Sequence, residues 1–142
     1  MRYFLFIAVQ FFLILFLFLS GPIFISDLPF NLIQIFSILF ICWALLERGL
    51  HKEQGNSKSV GIYLLKAGPY EFIRHPIYAG ILLFVASAVQ GEFTFLRALD
   101  FFLFFFLVIM RIKRDEKLTM DHFKNEYSEY SKNTKRLIPY FY

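Results

Sequence analysis

The sequence predicts an all-α integral membrane protein with about four transmembrane helices, and three observations lead to this prediction. Hydrophobic residues make up 58% of the 142 residues, and aromatic residues reach 21%, with 21 phenylalanines. The apolar residues fall into four runs separated by polar segments, and most basic residues lie beside those runs. A soluble chain of this size would expose much apolar surface to water, so the bilayer is the expected solvent.

The first two apolar runs have close to the length of a membrane span. The first, 3–19, is interrupted only by Gln10 and ends before Gly21 and Pro22, which indicate a helix stop. At ~1.5 Å per residue it nearly crosses a ~30 Å hydrocarbon core. It is longer than the ~7–15-residue core of a signal peptide and lacks a small-x-small site, so we expect a retained helix. The second run, 28–46, leads into a polar loop.

The third and fourth runs, 77–89 and 93–110, are joined by Gln90, Gly91 and Glu92. The third is too short to span a membrane alone, and the short connection predicts a C-terminal helical hairpin. Residues 111–142 are predicted to form a polar tail. The whole chain, 1–142, is expected to be a single membrane-embedded domain.

The distribution of charge predicts the orientation. The formal net charge is +4, and the basic residues concentrate in the loop after the second run and in the tail. The positive-inside rule makes both regions cytosolic, which places both termini in the cytosol, in a bacterial inner membrane or the endoplasmic reticulum. Lipid headgroups explain the basic clusters, and no nucleic-acid-binding signature is present. The single cysteine, Cys42, excludes an intrachain disulfide and a cysteine-only metal cluster.

The stretch "GPYEFIRHPIYAG", residues 68–80, is unusual beside apolar segments, and we call it the RHP segment. Pro76 suits the first turn of a helix, so Arg74 and His75 are predicted to lie at a helix N-terminus, where free N–H groups attract anions. Tyr78 follows on that helix, and Gly80 allows close approach of a backbone or a ligand. Any one of these residues could be an interfacial anchor, but their concentration favours a site.

A second polar cluster follows the fourth run. In "RIKRDEKLTMDHFKNEYSEY", Arg111 and Asp115 lie four residues apart, on one face of a helix, where they could also form a simple ion pair. A helical hairpin brings the start of its first helix beside the end of its second. The two clusters are therefore predicted to meet in one pocket at the cytosolic face.

Together the two clusters resemble the isoprenylcysteine carboxyl methyltransferase family and its phospholipid methyltransferase relatives. The shared pattern is G-x-Y…R-H-P-x-Y-x-G and, after a hairpin, an acidic pair preceded by Arg and followed by F-G-x-x-Y-x-x-Y. The similarity covers 64–139. This sequence departs from the pattern twice, with Asp115 in place of the first Glu and Lys124 in place of Gly.

The resemblance implies a methyltransferase that uses S-adenosylmethionine (SAM) and acts on a lipid or lipidated acceptor from the bilayer. Arg111 would orient an acceptor carboxylate, as in O-methylation of isoprenylcysteine, and Glu116 or Tyr78 would serve as a base for an amine acceptor. No metal site is implied. The implied cofactor contacts are Gln54, Ile62, Tyr63, Leu64, Leu65, Tyr70, Arg74, His75, Pro76, Ile77, Tyr78, Gly80, Asp115 and Glu116.

Three other functions remain open from the sequence. One is methylation of nitrogen or sulfur in a phospholipid or a small molecule. Another is an NADPH-dependent membrane reductase, whose box reads S-R-H-P-N-Y-x-G-E; Ile73, Ile77 and Ile81 occupy its Ser, Asn and Glu positions, which argues against it. The third is a scaffold without catalytic activity. The sequence does not indicate an oligomeric state.

Overall fold

The computed structural model describes residues 2–24, 26–54 and 64–138, and these form four α-helices. The predicted all-α class is confirmed for these residues, whose β pairing is limited to one isolated bridge between Ile73 and Lys135. A short 3-10 helix precedes the third α-helix. The bounds are α1 (Arg2–Leu19), α2 (Leu28–Gln54), the 3-10 helix (Gly68–Glu71), α3 (Pro76–Gly91) and α4 (Phe95–Asn133).

Two helices extend beyond their predicted ends. The second was predicted over 28–46, but α2 continues to Gln54 through residues that mostly favour helix. The fourth was predicted over 93–110, and α4 continues through most of the predicted tail to Asn133. The loss of hydrophobicity after Met110 marks a change of surroundings and not a helix end, because no Gly or Pro follows until Pro139.

The core lies within the hairpin and against the two N-terminal helices. α2 packs along α3, and α4 contacts both α1 and α3. The main cluster of buried side chains joins Leu82 of α3 to Phe104, Val108 and Ile112 of α4, and it also includes Leu137 from the chain beyond α4. Leu137 thereby anchors the end of the described chain to the hairpin.

The membrane-spanning potential of the helices is uneven. Among the described residues, one helical stretch, Leu28–Leu50, is both long enough and apolar enough to cross a membrane, and its most apolar part is only 17% buried. The apolar stretches Ala8–Leu17 and Pro76–Gly91 are shorter. In α4 the apolar region carries Arg97 and Asp100.

Arg97 ties the connection between α1 and α2 to the hairpin. Its side chain is 1% exposed and donates to a Glu92 carboxylate oxygen at 3.0 Å and to the Pro22 carbonyl at 3.1 Å. A Cβ atom on Gly21 would lie 2.6 Å from that carboxylate and 2.7 Å from the guanidinium. A larger residue at this position would therefore displace the ends of these two side chains.

Gly80 sets the distance between α2 and α3. A Cβ atom at this position would lie 2.5 Å from Cγ1 of Ile41 and 3.3 Å from the Ser37 carbonyl oxygen. The RHP segment was predicted to use Gly80 for close approach of a backbone or a ligand. The structure places a neighbouring helix there.

We expect Gly80→Val to lower the free energy of unfolding by about 1–3 kcal/mol, because the added atoms overlap α2. Gly49→Ala is the matched control, since a Cβ atom at Gly49 meets nothing within 4 Å. That control should be neutral or should stabilise the helix by up to about 1 kcal/mol. Denaturant unfolding in detergent micelles, followed by helical circular dichroism, measures both, and equal stability of the two variants would contradict the close packing.

Lys124 divides α4 into two helical parts. It has φ 41° and ψ −107°, and among the described residues it is the one non-glycine residue with positive φ. Its position is the one at which the family pattern has Gly. Lys124 thus has a positive φ, which glycine would adopt at lower cost.

Lys124→Gly should raise the free energy of unfolding by about 1 kcal/mol, because glycine relieves the strain of positive φ. Lys117→Gly, in a regular and exposed part of the same helix, should lower it by about 1 kcal/mol. Thermal unfolding of both variants beside the unchanged protein checks the signs. If Lys124→Gly destabilises as much as Lys117→Gly, the strain at Lys124 is refuted.

Candidate functional site

The two polar clusters meet at the end of the hairpin where α3 begins. Arg74 Nε donates to Glu116 Oε1 at 2.8 Å, and the Tyr78 hydroxyl donates to Asp115 Oδ2 at 3.3 Å. These contacts join residues about 40 positions apart, one on each side of the hairpin. The predicted meeting of the RHP segment with the end of the fourth apolar run is confirmed.

Glu116 is the centre of the charged part of the site. Its carboxylate is buried, with Oε1 accepting from Arg74 and Oε2 accepting from Arg136 Nε at 2.8 Å. His75 Nε2 lies 3.7 Å from Oε1. Burial alone would raise the pKa of Glu116, but nearby His75 and the hydrogen bonds from both arginines outweigh it and lower the pKa to about 2. The carboxylate therefore remains charged at neutral pH.

Residues 134–138, here called the C-terminal segment, fold back onto the RHP segment. The Arg74 N–H donates to the Lys135 carbonyl at 2.7 Å, and the His75 N–H donates to the Arg136 carbonyl at 3.1 Å. This segment belongs to the predicted polar tail, 111–142. The described part folds back and carries Arg136 to Glu116; residues 139–142 lie outside the described residues.

Arg74 stabilises this fold-back rather than facing an open pocket. Besides its bond to Glu116, its Nη1 donates to the carbonyls of Ser131, at 3.1 Å, and Thr134. The cofactor contact that the resemblance implies for Arg74 stays a prediction. Its described contacts are with Glu116 and with these two carbonyls.

A second group of side chains surrounds the Tyr78 ring. The Arg111 guanidinium carbon lies 5.8 Å from the centre of that ring, and Asp115 accepts the hydroxyl hydrogen bond. Arg111 Nη1 also donates to Oε1 of Gln10, from α1, at 3.1 Å. Arg111 and Asp115 thus meet around Tyr78, and α1 contributes to the site.

Sequence reasoning missed both Gln10 and Arg136 as site residues. Gln10 carried a signal, because it is the only polar residue within the apolar run 3–19. A buried amide in such a helix requires a hydrogen-bond partner and often marks a functional position. Arg136 carried no comparable signal among the many basic residues of the tail.

His75 presents an unpartnered polar atom. Its Nε2 is buried and has no hydrogen-bond partner among the residues that the structure describes. The imidazole lies beside the Tyr78 ring, with 5.8 Å between ring centres, and His75 directly precedes the first turn of α3. A buried nitrogen without a partner is costly unless a ligand satisfies it, so this atom is the best candidate for a ligand contact.

Several predicted cofactor contacts form the apolar wall behind these groups. Leu65 and Tyr70 are buried with Ala44 of α2, and Ile77 packs against them. The Tyr70 carbonyl accepts a 2.6 Å hydrogen bond from the Tyr130 hydroxyl. Burial raises the pKa of Tyr130 to about 12, so this hydroxyl keeps its proton.

The remaining predicted contacts have different surroundings. Pro76 is buried as the first residue of α3, and Leu64 is partly buried. Gln54 is the last residue of α2. Ile62 and Tyr63 lie in 55–63, outside the described residues.

A cavity of about 150 Å³ lies far from these groups. It is lined by apolar side chains of α1 and α3, including Ile14 and Val85, and by Arg97. Arg97 precedes Glu116 by 19 residues of α4, which corresponds to about 28 Å along a helix. Within the described parts of the chain, no cluster of three or more His, Cys, Asp or Glu side chains could hold a metal ion.

No protein-family model matches the chain, and no curated protein is significantly similar to it. Functional inference therefore depends on the two sequence motifs and on the geometry that brings them together.

The charge on Glu116 predicts a pH dependence of stability. Because its pKa falls from 4.5 to about 2 on folding, its contribution is fully present above pH 4.5 and is lost as the pH falls toward 2. We expect a loss of about 3 kcal/mol over that interval. Glu116→Gln should be less stable at pH 7, because it leaves Arg74 and Arg136 poorly paired, and its stability should vary less between pH 4.5 and 2.

Glu126→Gln is the control for this measurement. Glu126 pairs with Lys66 at 2.9 Å, but both side chains are largely exposed, so the pair contributes little. Denaturant unfolding from pH 7 to pH 2 should distinguish the two variants. The same pH profile for Glu116→Gln and the unchanged protein would contradict the role given to Glu116.

Proposed function

We propose that this chain is an integral membrane methyltransferase that uses SAM and resembles the isoprenylcysteine carboxyl methyltransferase family. The observation that carries the proposal is the contact between its two motifs. Arg74 and Tyr78, from the RHP segment, bond to Glu116 and Asp115, from the acidic pair. The residues of the two sequence motifs therefore lie together in one site.

The exposed surface supports a position within the membrane for α1, α2 and α4. Large apolar side chains point outward from each of α1, α2 and α4, for example Phe12, Leu39 and Phe102, each more than 60% exposed. Such a surface in water would drive aggregation, whereas lipid tails match it. We propose a multi-pass topology with four crossings and both termini in the cytosol, as the positive-inside rule predicts.

The polar groups of the site fit the methionine part of SAM. When bound, SAM supplies a methyl group activated by a sulfonium. The partly exposed carboxylate of Asp115 suits the positive charges of the cofactor. His75 Nε2 makes no hydrogen bond within the described part of the chain and lies 3.7 Å from Glu116 Oε1, so a small rotation of the ring would let it bond to a ribose hydroxyl or a carboxylate. The first turn of α3 offers backbone N–H groups to an anion.

The acceptor that best suits this site is a carboxylate. Arg111 can orient a carboxylate through its guanidinium, and a carboxylate needs no base to remove a proton before it attacks. An amine acceptor would need such a base. Glu116 is poorly suited to that role, because a base works best with a pKa near the working pH and its pKa is about 2. The base role predicted for Glu116 is therefore not part of the proposal.

The protein's contribution to the reaction is alignment and exclusion of water. Arg111 and Asp115 lie one helical turn apart on α4 and both contact Tyr78, so α4 fixes the distance between the acceptor-orienting and cofactor-facing groups. Fixing such a distance converts an encounter between two molecules into a reaction within one complex. A polar cofactor can reach the site from the cytosol, while a lipid-like acceptor can reach it from the bilayer.

The first test is a binding titration of the detergent-solubilised chain with SAM, in parallel with NADPH. We expect binding of SAM in the micromolar range, which corresponds to about 8 kcal/mol of binding free energy, and no binding of NADPH. Binding of NADPH alone would favour the membrane reductase. Binding of neither would contradict the proposal and favour a scaffold without catalytic activity.

Variants then separate cofactor binding from transfer. His75→Ala and Asp115→Ala should weaken SAM binding by about tenfold or more, because each removes a polar contact. Arg111→Ala should keep SAM affinity and abolish methyl transfer to an S-farnesyl cysteine. Lys113→Ala, an exposed neighbour on α4, is the control and should change neither. The same SAM affinity in all four variants would refute the residue assignment.

A further inference from the structure

We propose that Gln10 is a positioning residue that holds Arg111 in the orientation needed to bind an acceptor anion. This inference rests on the proposed function, which gives Arg111 its role. It assigns a part in the reaction to α1, a helix that shares no motif with the family pattern. The contact that carries it is the 3.1 Å hydrogen bond from Arg111 Nη1 to Gln10 Oε1.

Gln10 is buried, so its side-chain amide needs a hydrogen-bond partner. Its side chain is 8% exposed, although it belongs to the apolar run 3–19 of the sequence. An amide in such surroundings costs free energy unless it is hydrogen-bonded, and apolar residues would pack there without that cost. The polar residue therefore has a use beyond packing, and Arg111 is the group that it bonds.

The neutrality of the partner distinguishes Arg111 from Arg97 and Arg74. Arg97 bonds to the carboxylate of Glu92, and Arg74 bonds to the carboxylate of Glu116, so both positive charges are compensated. The described contacts of Arg111 are with a neutral amide and an aromatic ring. Gln10 can fix the guanidinium plane without cancelling the charge that an anionic acceptor needs.

Orientation matters because an arginine side chain has many rotamers. A free guanidinium would lose rotamer entropy when it binds a ligand in one geometry. Gln10 on one side and the Tyr78 ring on the other restrict it in advance. The expected benefit is in binding and aligning the acceptor, with no direct effect on the cofactor.

Two substitutions separate positioning from simple structural packing. Gln10→Leu removes the hydrogen bond and leaves an apolar side chain of similar size. Gln10→Glu keeps the shape and the hydrogen bond but places a negative charge on Arg111. A merely structural Gln10 would tolerate the glutamate, since an ion pair would replace a hydrogen bond, whereas a positioning Gln10 would not.

The experiment is steady-state methyl transfer from SAM to N-acetyl-S-farnesyl cysteine by the full chain in detergent. We expect Gln10→Leu to lower kcat/KM for the acceptor about tenfold and Gln10→Glu about a hundredfold, with the KM for SAM unchanged in both. Gln34→Leu is the control, because Gln34 is also a buried amide and bonds to the Ile23 carbonyl at 2.6 Å. It should lower stability and leave the acceptor kinetics unchanged.

The outcomes distinguish this inference from the proposed function. Transfer by both Gln10 variants at the rate of the unchanged protein would overturn the inference and leave the proposed function standing. Equal changes in the KM for SAM and for the acceptor would indicate general damage and also overturn it. No transfer to this acceptor by the unchanged protein would contradict the carboxylate acceptor, and this inference would fall with it.

Discussion

The arrangement of the site depends on one buried carboxylate that accepts hydrogen bonds from two arginines. Glu116 receives Arg74 from the segment before α3 and Arg136 from the segment after α4, each at 2.8 Å. Three parts of the chain are thereby held at one point. A single buried charge is costly, and removing one of these three side chains leaves the others uncompensated. Substitutions of these residues should therefore destabilise the fold.

Four arginines of the structure fall into two groups that differ in their hydrogen-bond partners. Arg74, Arg97 and Arg136 are bonded to carboxylates and hold segments together. Arg111 is bonded to an amide and lies over an aromatic ring. The carboxylates compensate the charges of the first three arginines, whereas the amide and the ring do not compensate the charge of Arg111. An arginine of the second kind can recognise an anion.

The sequence predicted most of the helical framework, because apolar runs and turn residues are local signals. It also predicted that the RHP segment and Asp115 would meet, since a hairpin leaves few other arrangements. It did not predict that α4 continues to Asn133, because the change to polar residues was interpreted as the start of a tail although their helix propensity is good. The contact between Gln10 and Arg111 spans 101 positions, and no local pattern specifies such a pair.

Two arginines fasten α1 and its following turn to α4, one at each end. Arg111 bonds to Gln10, and Arg97 bonds to the carbonyl of Pro22. Between these two arginines α4 extends for 14 residues, or about 21 Å. Any separation of α1 from α4 within that interval is therefore restrained by a hydrogen bond at each of its two ends.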